Sequence, residues 1–194
     1  MLASHKINIL EYYYNILFMI FNNSFKYGLV SKMFHWYMAI LLLIILLIGN
    51  LSEHLSGSFY NYSMLIHNSL GILIFVLVFI RLAWRWSNKI PEKIIINKFL
   101  NFLSNLAFFI FYFGMIFTPI TGYVLMNIEG KQISFFGYNL PELIDQNKNY
   151  EILSHQIHGI MSDLILYTFL LHILAAGYHH WIRKDNSFKR MKFE

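Results

Sequence analysis

No cysteine occurs in the 194 residues. Disulfides, thioether-attached c-type haem and cysteine-ligated iron–sulfur clusters are therefore excluded. Charge is scarce too. Only 13% of residues are Asp, Glu, Lys or Arg, against about 25% in an average soluble domain. Three prolines and ten glycines form no linker. The chain has no Walker loop, no GxGxxG fingerprint and no internal repeat, so the usual phosphate cradles are missing. Any bound metal has to be held by His, Met, Tyr or carboxylate.

What the chain has in abundance is apolar surface: 57% of residues are hydrophobic and 19% aromatic, with a mean hydropathy of +0.50. Four apolar runs, at residues 27–51, 64–84, 100–126 and 152–181, are long enough to cross a bilayer. The expected fold is an all-α membrane protein, a bundle of four transmembrane helices. Residues 1–25 carry Glu11 and Asn15 in an apolar stretch too short for a span. They are read as an N-terminal extension, interfacial or disordered, ahead of a transmembrane domain at 26–194. The net charge of +5 does not mark a nucleic-acid surface, because the basic residues flank the apolar runs. Of the 15 lysines and arginines, only Lys131 and Lys148 fall in the connections after spans one and three. By the positive-inside rule both termini are cytoplasmic.

Histidine is rare inside transmembrane helices and usually functional there. His158 and His172 lie fourteen residues apart in the fourth run. On a helix that is about 21 Å of rise and roughly 320° of rotation, so the two rings share a side at two depths. His35 lies about eight residues, some 12 Å, into the first run, and His67 is placed just inside the first turn of the second. With the expected orientation, His67 matches His158 near the outer face and His35 matches His172 in the inner half. A lone membrane histidine often does no more than hydrogen-bond a neighbouring helix. Four that fall into two depth-matched pairs point instead to cofactor ligation, with sites built between facing helices. Two imidazoles on opposite sides of a planar cofactor make a six-coordinate bis-histidine haem, suited to electron transfer. Two such haems would form an electron path across the membrane.

Other residues carry weaker signals. Arg81 satisfies the positive-inside rule and equally suits pairing with a propionate of the inner haem. His179 and His180, at the inner end of the fourth run, read either as interfacial residues or as lining a quinone or proton site. Asp163 reads as part of a proton route to the outer site or as packed against polar groups of a neighbouring helix. Gly71, four residues after His67, would let a flat ligand or a helix come close. The third run has no histidine; with Pro119 and Gly122 it reads as a kinked packing helix. His155, His158 and Glu151 are too few for a zinc site.

Taken together these residues resemble the bacterial cytochrome b561 family, four-helix di-haem cytochromes of the inner membrane. The matching features are His35-Trp36, Ile66-His67 with Gly71, Arg81-Leu82 with Arg85, and Pro119 with Gly122. To these are added the histidines at 158 and 172 and the tail from His179 to Met191. The resemblance covers about residues 26–191. It implies two non-covalent haems b with His35, His67, His158 and His172 as axial iron ligands. It also implies a multi-pass protein of the bacterial cell inner membrane that exchanges electrons with the quinone pool, ubiquinone being the partner. Some members take electrons from superoxide at the outer face, which implies a quinone-linked oxidoreductase with superoxide or a redox protein as donor. The alternative is a cytochrome b membrane-anchor subunit passing electrons between a dehydrogenase or hydrogenase and the quinone pool; the short outer loops favour autonomy. A non-redox transporter or scaffold would bind no haem. The N-terminal extension and Asp163 depart from the family pattern.

Overall fold

The computed structural model describes residues 18–52, 54–92, 94 and 97–193. The earlier part of the N-terminal extension lies outside them. Four helices are long and apolar enough to cross a membrane. They are α1 (Leu29–Ser52), α2 (Gly57–Ser87), α3 (Lys98–Ile128) and α4 (Glu151–Gly177), the last continued by a π-helical turn at Tyr178–Arg183. Residues 18–28, the described residues of the α2–α3 connection and residues 184–193 lie at one end of the bundle, here the tail end. The α1–α2 and α3–α4 connections lie at the other, the loop end.

Helix starts follow local chemistry. The Asn97 side chain caps α3 by accepting a hydrogen bond from the Leu100 amide at 2.8 Å. α2 starts at Gly57, in the left-handed conformation with φ 60°, and not at the expected 64. The intervening Ser, Phe, Asn and Tyr residues lower the hydropathy without breaking the helix, and Tyr-rich turns suit headgroup depth. His67 therefore lies in the third turn of α2, a correction to its placement in the first. α3 runs through Pro119 without interruption, since neighbouring groups in a membrane helix can take up the lost backbone bond.

The closest helix pairs are α3 with α4 and α1 with α2. Gly71 lets Ile45 of α1 come within 3.5 Å of where its Cβ would be, and Gly114 seats Ile165 of α4 at 2.4 Å from its own absent Cβ. One apolar core joins all four helices: Met38, Leu42 and Leu46, Ile74 and Val78, Met115, and Ile165 and Phe169. Outside it, residues such as Leu47, Phe79, Phe109 and Leu174 are exposed. That is the expected surface for a bundle whose outer solvent is hydrocarbon.

Both ends are covered. At the loop end a two-stranded hairpin pairs Ser134–Phe135 (β1) with Tyr138–Asn139 (β2). Its turn, Phe136 and Gly137, has positive φ at both positions, as tight hairpins require. The hairpin is tied to α2 by the buried Ser69, whose hydroxyl accepts from the Phe136 amide at 2.9 Å. The buried Asn127 carbonyl oxygen accepts from the amides of Leu143 and Ile144 at 2.7 and 3.1 Å. At the tail end Phe21 stacks on Trp84, Trp84 donates to Ser31 at 2.9 Å, and Trp36 donates to the Met191 carbonyl at 2.8 Å. Residues 18–25 and the C-terminal tail are thus folded onto the bundle. In the tail, Asp185 bonds His179 Nδ1 at 2.6 Å, accepts from the Ser187 amide at 2.9 Å and has Arg183 at 3.5 Å. Burial pushes the Asp185 carboxyl up, but the bonds from His179 and Ser187 outweigh it and bring it from 3.8 down to about 2.

Two outcomes follow. Gly114→Ala puts a methyl into Ile165 and should cost about 1–3 kcal/mol, as overpacking does; thermal unfolding in detergent should recover part of the loss in the Gly114→Ala/Ile165→Ala pair. Because the folded-state pKa of Asp185 is depressed, its contribution is complete above about pH 4 and is lost as pH falls toward about 2. Amide exchange at Ser187 should accelerate across that window, beyond intrinsic chemistry, and Asp185→Asn should abolish the dependence.

Candidate functional site

The four membrane histidines come together in two pairs. His67 of α2 faces His158 of α4 near the loop end, and His35 of α1 faces His172 of α4 near the tail end. The ring centroids are 6.2 Å apart in both pairs, with interplanar angles of 78° and 61°. Between the two levels lies the apolar core. Leu42, Ile74, Val78, Met115 and Ile165 separate one pair from the other.

The rings are seated by small or aromatic neighbours. A Cβ on Gly49 of α1 would lie 3.0 Å from His67 Cε1, and one on Gly122 of α3 would lie 3.0 Å from His158 Cε1. Each loop-end ring therefore rests where any larger residue would push it aside. Thr121 of α3 bonds His158 Nδ1 at 3.1 Å, which orients that ring and leaves Nε2 for another partner. His67 Nδ1 is buried and meets no side-chain hydrogen-bond partner among the described residues. At the tail end Trp36 stands edge-on to His35 at 5.3 Å, and Phe111 edge-on to His172 at 5.6 Å.

This donor set fits one class of group. Metal–nitrogen bonds are about 2 Å long, and an imidazole atom lies about 1.1 Å from its ring centroid, given ring bonds of about 1.35 Å. Two rings bound to one metal from opposite sides thus have centroids about 6 Å apart. Both pairs meet that separation. Zinc would need three or four ligands, and no group of three His, Asp or Glu gathers among the described residues. A planar metal cofactor taking two axial imidazoles fits both levels.

Arg81 of α2 lies beside the tail-end pair. Its guanidinium is 5.9 Å from the Tyr112 ring centroid and 3.9 Å from Met38 Sδ, and no carboxylate pairs with it among the described residues. His179 is held by Asp185, whereas His180 is exposed beside Phe188 at 4.9 Å. Asp163 lies on the exposed side of α4. It is not packed against polar groups of a neighbouring helix as expected, because the helix turns it away from the face that carries His158. His155 pairs with Glu129 rather than Glu151. Partial burial pushes the Glu129 carboxyl up, but hydrogen bonds from Lys131 and His155 hold it below the ordinary range. Sequence reasoning missed Gly49 and Thr121, and took α3 for packing alone. The only signal for Gly49 is a glycine within an unbroken apolar run.

The family model described as prokaryotic cytochrome b561 matches residues 26–194. Cytochrome b561 homolog 2 of Escherichia coli (strain K12) is 27% identical over 177 residues, covering 88% of this chain and 93% of that protein. Cytochrome b561 homolog 1 of the same organism is 29% identical over 126 residues, 64% of this chain and 72% of the relative. The probable superoxide oxidase CybB of Yersinia pestis is 27% identical over 173 residues, 86% and 95% of the two chains. The four-helix architecture and a family match that spans nearly the whole chain agree: the chain belongs to the prokaryotic cytochrome b561 family of membrane electron-transfer proteins.

Proposed function

We propose that the chain holds two non-covalent haems b, one between His67 and His158 and one between His35 and His172, and carries electrons across the bacterial inner membrane to the quinone pool. The observation that carries this reading is the equal 6.2 Å separation of two imidazole pairs on either side of one apolar core. Haem iron held by these imidazoles would supply one-electron exchange.

The chain's own residues ligate, orient and insulate. Gly49 and Gly122 let the loop-end rings lie against backbone. Thr121 fixes the His158 ring through Nδ1, the kind of supporting bond that orients a metal ligand. Met38, Val78 and Phe169 keep water from the space between the levels. Arg81, with no carboxylate partner among the described residues, suits a propionate of the tail-end haem. The tail end also holds most of the lysines and arginines, which favours both termini in the cytoplasm.

The donor we favour is superoxide at the loop end, by analogy with the relative named a probable superoxide oxidase. Two superoxide anions give up one electron each and leave as dioxygen; a ubiquinone takes two electrons and two protons. The His179–Asp185 pair at the tail end is the candidate for handling those protons. His180, exposed beside Phe188, is the weaker one.

A reduced-minus-oxidised visible spectrum with pyridine haemochrome quantitation tests the ligand scheme. Two haems b per chain are expected. His67→Ala or His158→Ala should each remove one, and His35→Ala or His172→Ala the other; Gly122→Leu should lower retention at the His67/His158 level alone. A colourless protein from a haem-supplied host would sink the reading. Haem reduction by superoxide no greater than in a haem-free control would remove superoxide as donor.

A further inference from the structure

We infer that the outward face of α4 is the interface of a homodimer, in which Asp163 of each copy accepts a hydrogen bond from Tyr167 of the other. Between Glu151 and Arg183 the sequence holds no Asp, Glu, Lys or Arg except Asp163. It stands about 18 Å along the helix from the first and about 30 Å from the second. A carboxyl on so short a side chain reaches water at neither end, unlike the long lysine and arginine stems that snorkel. Ionisable groups at such a depth normally face the bundle interior. Asp163 faces the other way and is exposed, and among the described residues no hydrogen bond or ion pair reaches it. The missing element is a hydrogen-bond donor from outside the bundle.

The residues around it form a stripe. At about 100° of turn per residue, Gln156, Asp163, Tyr167, Leu170 and Leu174 fall within about 60° of one another, and all of them are exposed. Ile165 and Phe169, which enter the shared core, fall on the opposite side of α4. The steps along the stripe are about seven, four, three and four residues, the spacing by which two helices pack side by side along a left-handed seam. Gly159 lies at its edge, one turn before Asp163, with nothing within 4 Å of where its Cβ would be. A small residue in such a place lets a second backbone come close.

A second copy of this chain supplies the donor. Two copies share one topology, so their α4 helices run parallel and equal residues meet at equal depth about a two-fold axis. Helical side chains lean toward the N-terminus. The Tyr167 phenol of one copy therefore comes to the level of Asp163 on the other, and the axis repeats the bond. Gln156 meets its own counterpart, and a carboxamide both donates and accepts. The stripe is thus complementary to itself in its polar groups as well as its leucines. Lipid tails offer Asp163 no donor at that depth. The inference does not depend on the haem assignment.

The full-length protein in vesicles of phosphatidylethanolamine and phosphatidylglycerol tests it, with energy transfer between donor- and acceptor-labelled copies followed as lipid is added. Association should weaken about tenfold in Asp163→Leu and in Tyr167→Phe, the scale of two lost interhelical bonds per dimer. It should persist in Asp163→Asn, whose carboxamide oxygen still accepts. The Asp163→Leu/Tyr167→Phe pair should lose little more than either change alone, because both remove the same bond. Should Asp163→Leu fail to fold, Tyr167→Phe and Asp163→Asn decide the matter. Since the chain has no cysteine, single-cysteine variants read the contact directly. Leu174→Cys should form an intermolecular disulfide. Ile173→Cys, also exposed but about 100° away around the helix, should not. A monomer at every dilution, a dimer indifferent to Asp163→Leu and Tyr167→Phe, or cross-linking through Ile173→Cys in preference to Leu174→Cys overturns the proposal. A monomer that retains an added transmembrane peptide with a lysine at mid-depth, and loses it in Asp163→Leu, overturns the second copy and makes a basic helix the occupant of this face.

Discussion

An imidazole inside a membrane bundle must find a partner, and α4 carries two of them. His158 and His172 are fourteen residues apart, which sets two levels about 21 Å apart along one helix. Each level needs a second histidine from a helix that passes it at the right depth. α1 starts at the tail end, so a histidine about 9 Å in meets His172; α2 starts at the loop end, so one about 15 Å in meets His158. The antiparallel order of α1 and α2 and their short connection are what make one ring of each kind available to α4. A parallel pair would have left both partner rings at the same end.

The same constraint explains how the helices pack. α3 and α4 touch closely through Gly114 and Ile165, and α1 and α2 through Gly71 and Ile45. Across the divide between these two pairs, α4 meets α1 and α2 through the histidine rings, with the shared apolar core between the levels. Glycine thus does two jobs. In Gly114 and Gly71 it brings helices together; in Gly49 and Gly122 it makes room for a ring. The second job is the more sensitive to substitution, because a displaced ring loses its partner whereas a displaced helix can relax along its length.

Much of this was legible in the sequence because it depends on order and spacing. The four spans, their alternation and the fourteen-residue interval decide which histidine meets which, and none of these requires knowledge of packing. What depended on rotation or on contact between distant segments was not legible. Gly49 looks like any glycine in an apolar run until α2 places His67 against it. Thr121 and Gly122 sit beside Pro119, and a proline invites a reading about backbone shape rather than about a ring on another helix. The start of α2 was misjudged because hydropathy falls over Gly57–Ser63 while helical geometry continues. Asp163 faces outward because its rotation about α4 differs from that of His158, a fact that hydropathy does not encode.

The two ends of the bundle are not equivalent, and their polar groups divide the labour. At the loop end the hairpin and the 129–147 connection fold onto α2 and α3, and Glu129 is matched by Lys131 and His155. The connections at that end carry Glu53, Glu129, Glu142, Asp145 and Glu151 against Lys131 and Lys148, and its histidine level is fixed by glycine seats. At the tail end Arg81 lies near the His35–His172 level with no carboxylate partner among the described residues, His179 is oriented by Asp185, and the indole of Trp36 is tied to the C-terminal tail. An imidazole–carboxylate pair thus stands at both ends, while the excess of positive charge gathers at the tail end. An acceptor that must gain protons as well as electrons finds an imidazole–carboxylate pair at either end; the cations around Arg81 are what the tail end adds. On the reading proposed above, what distinguishes the two ends is Arg81 and the excess of cations at the tail end, since the two histidine pairs share one 6.2 Å separation.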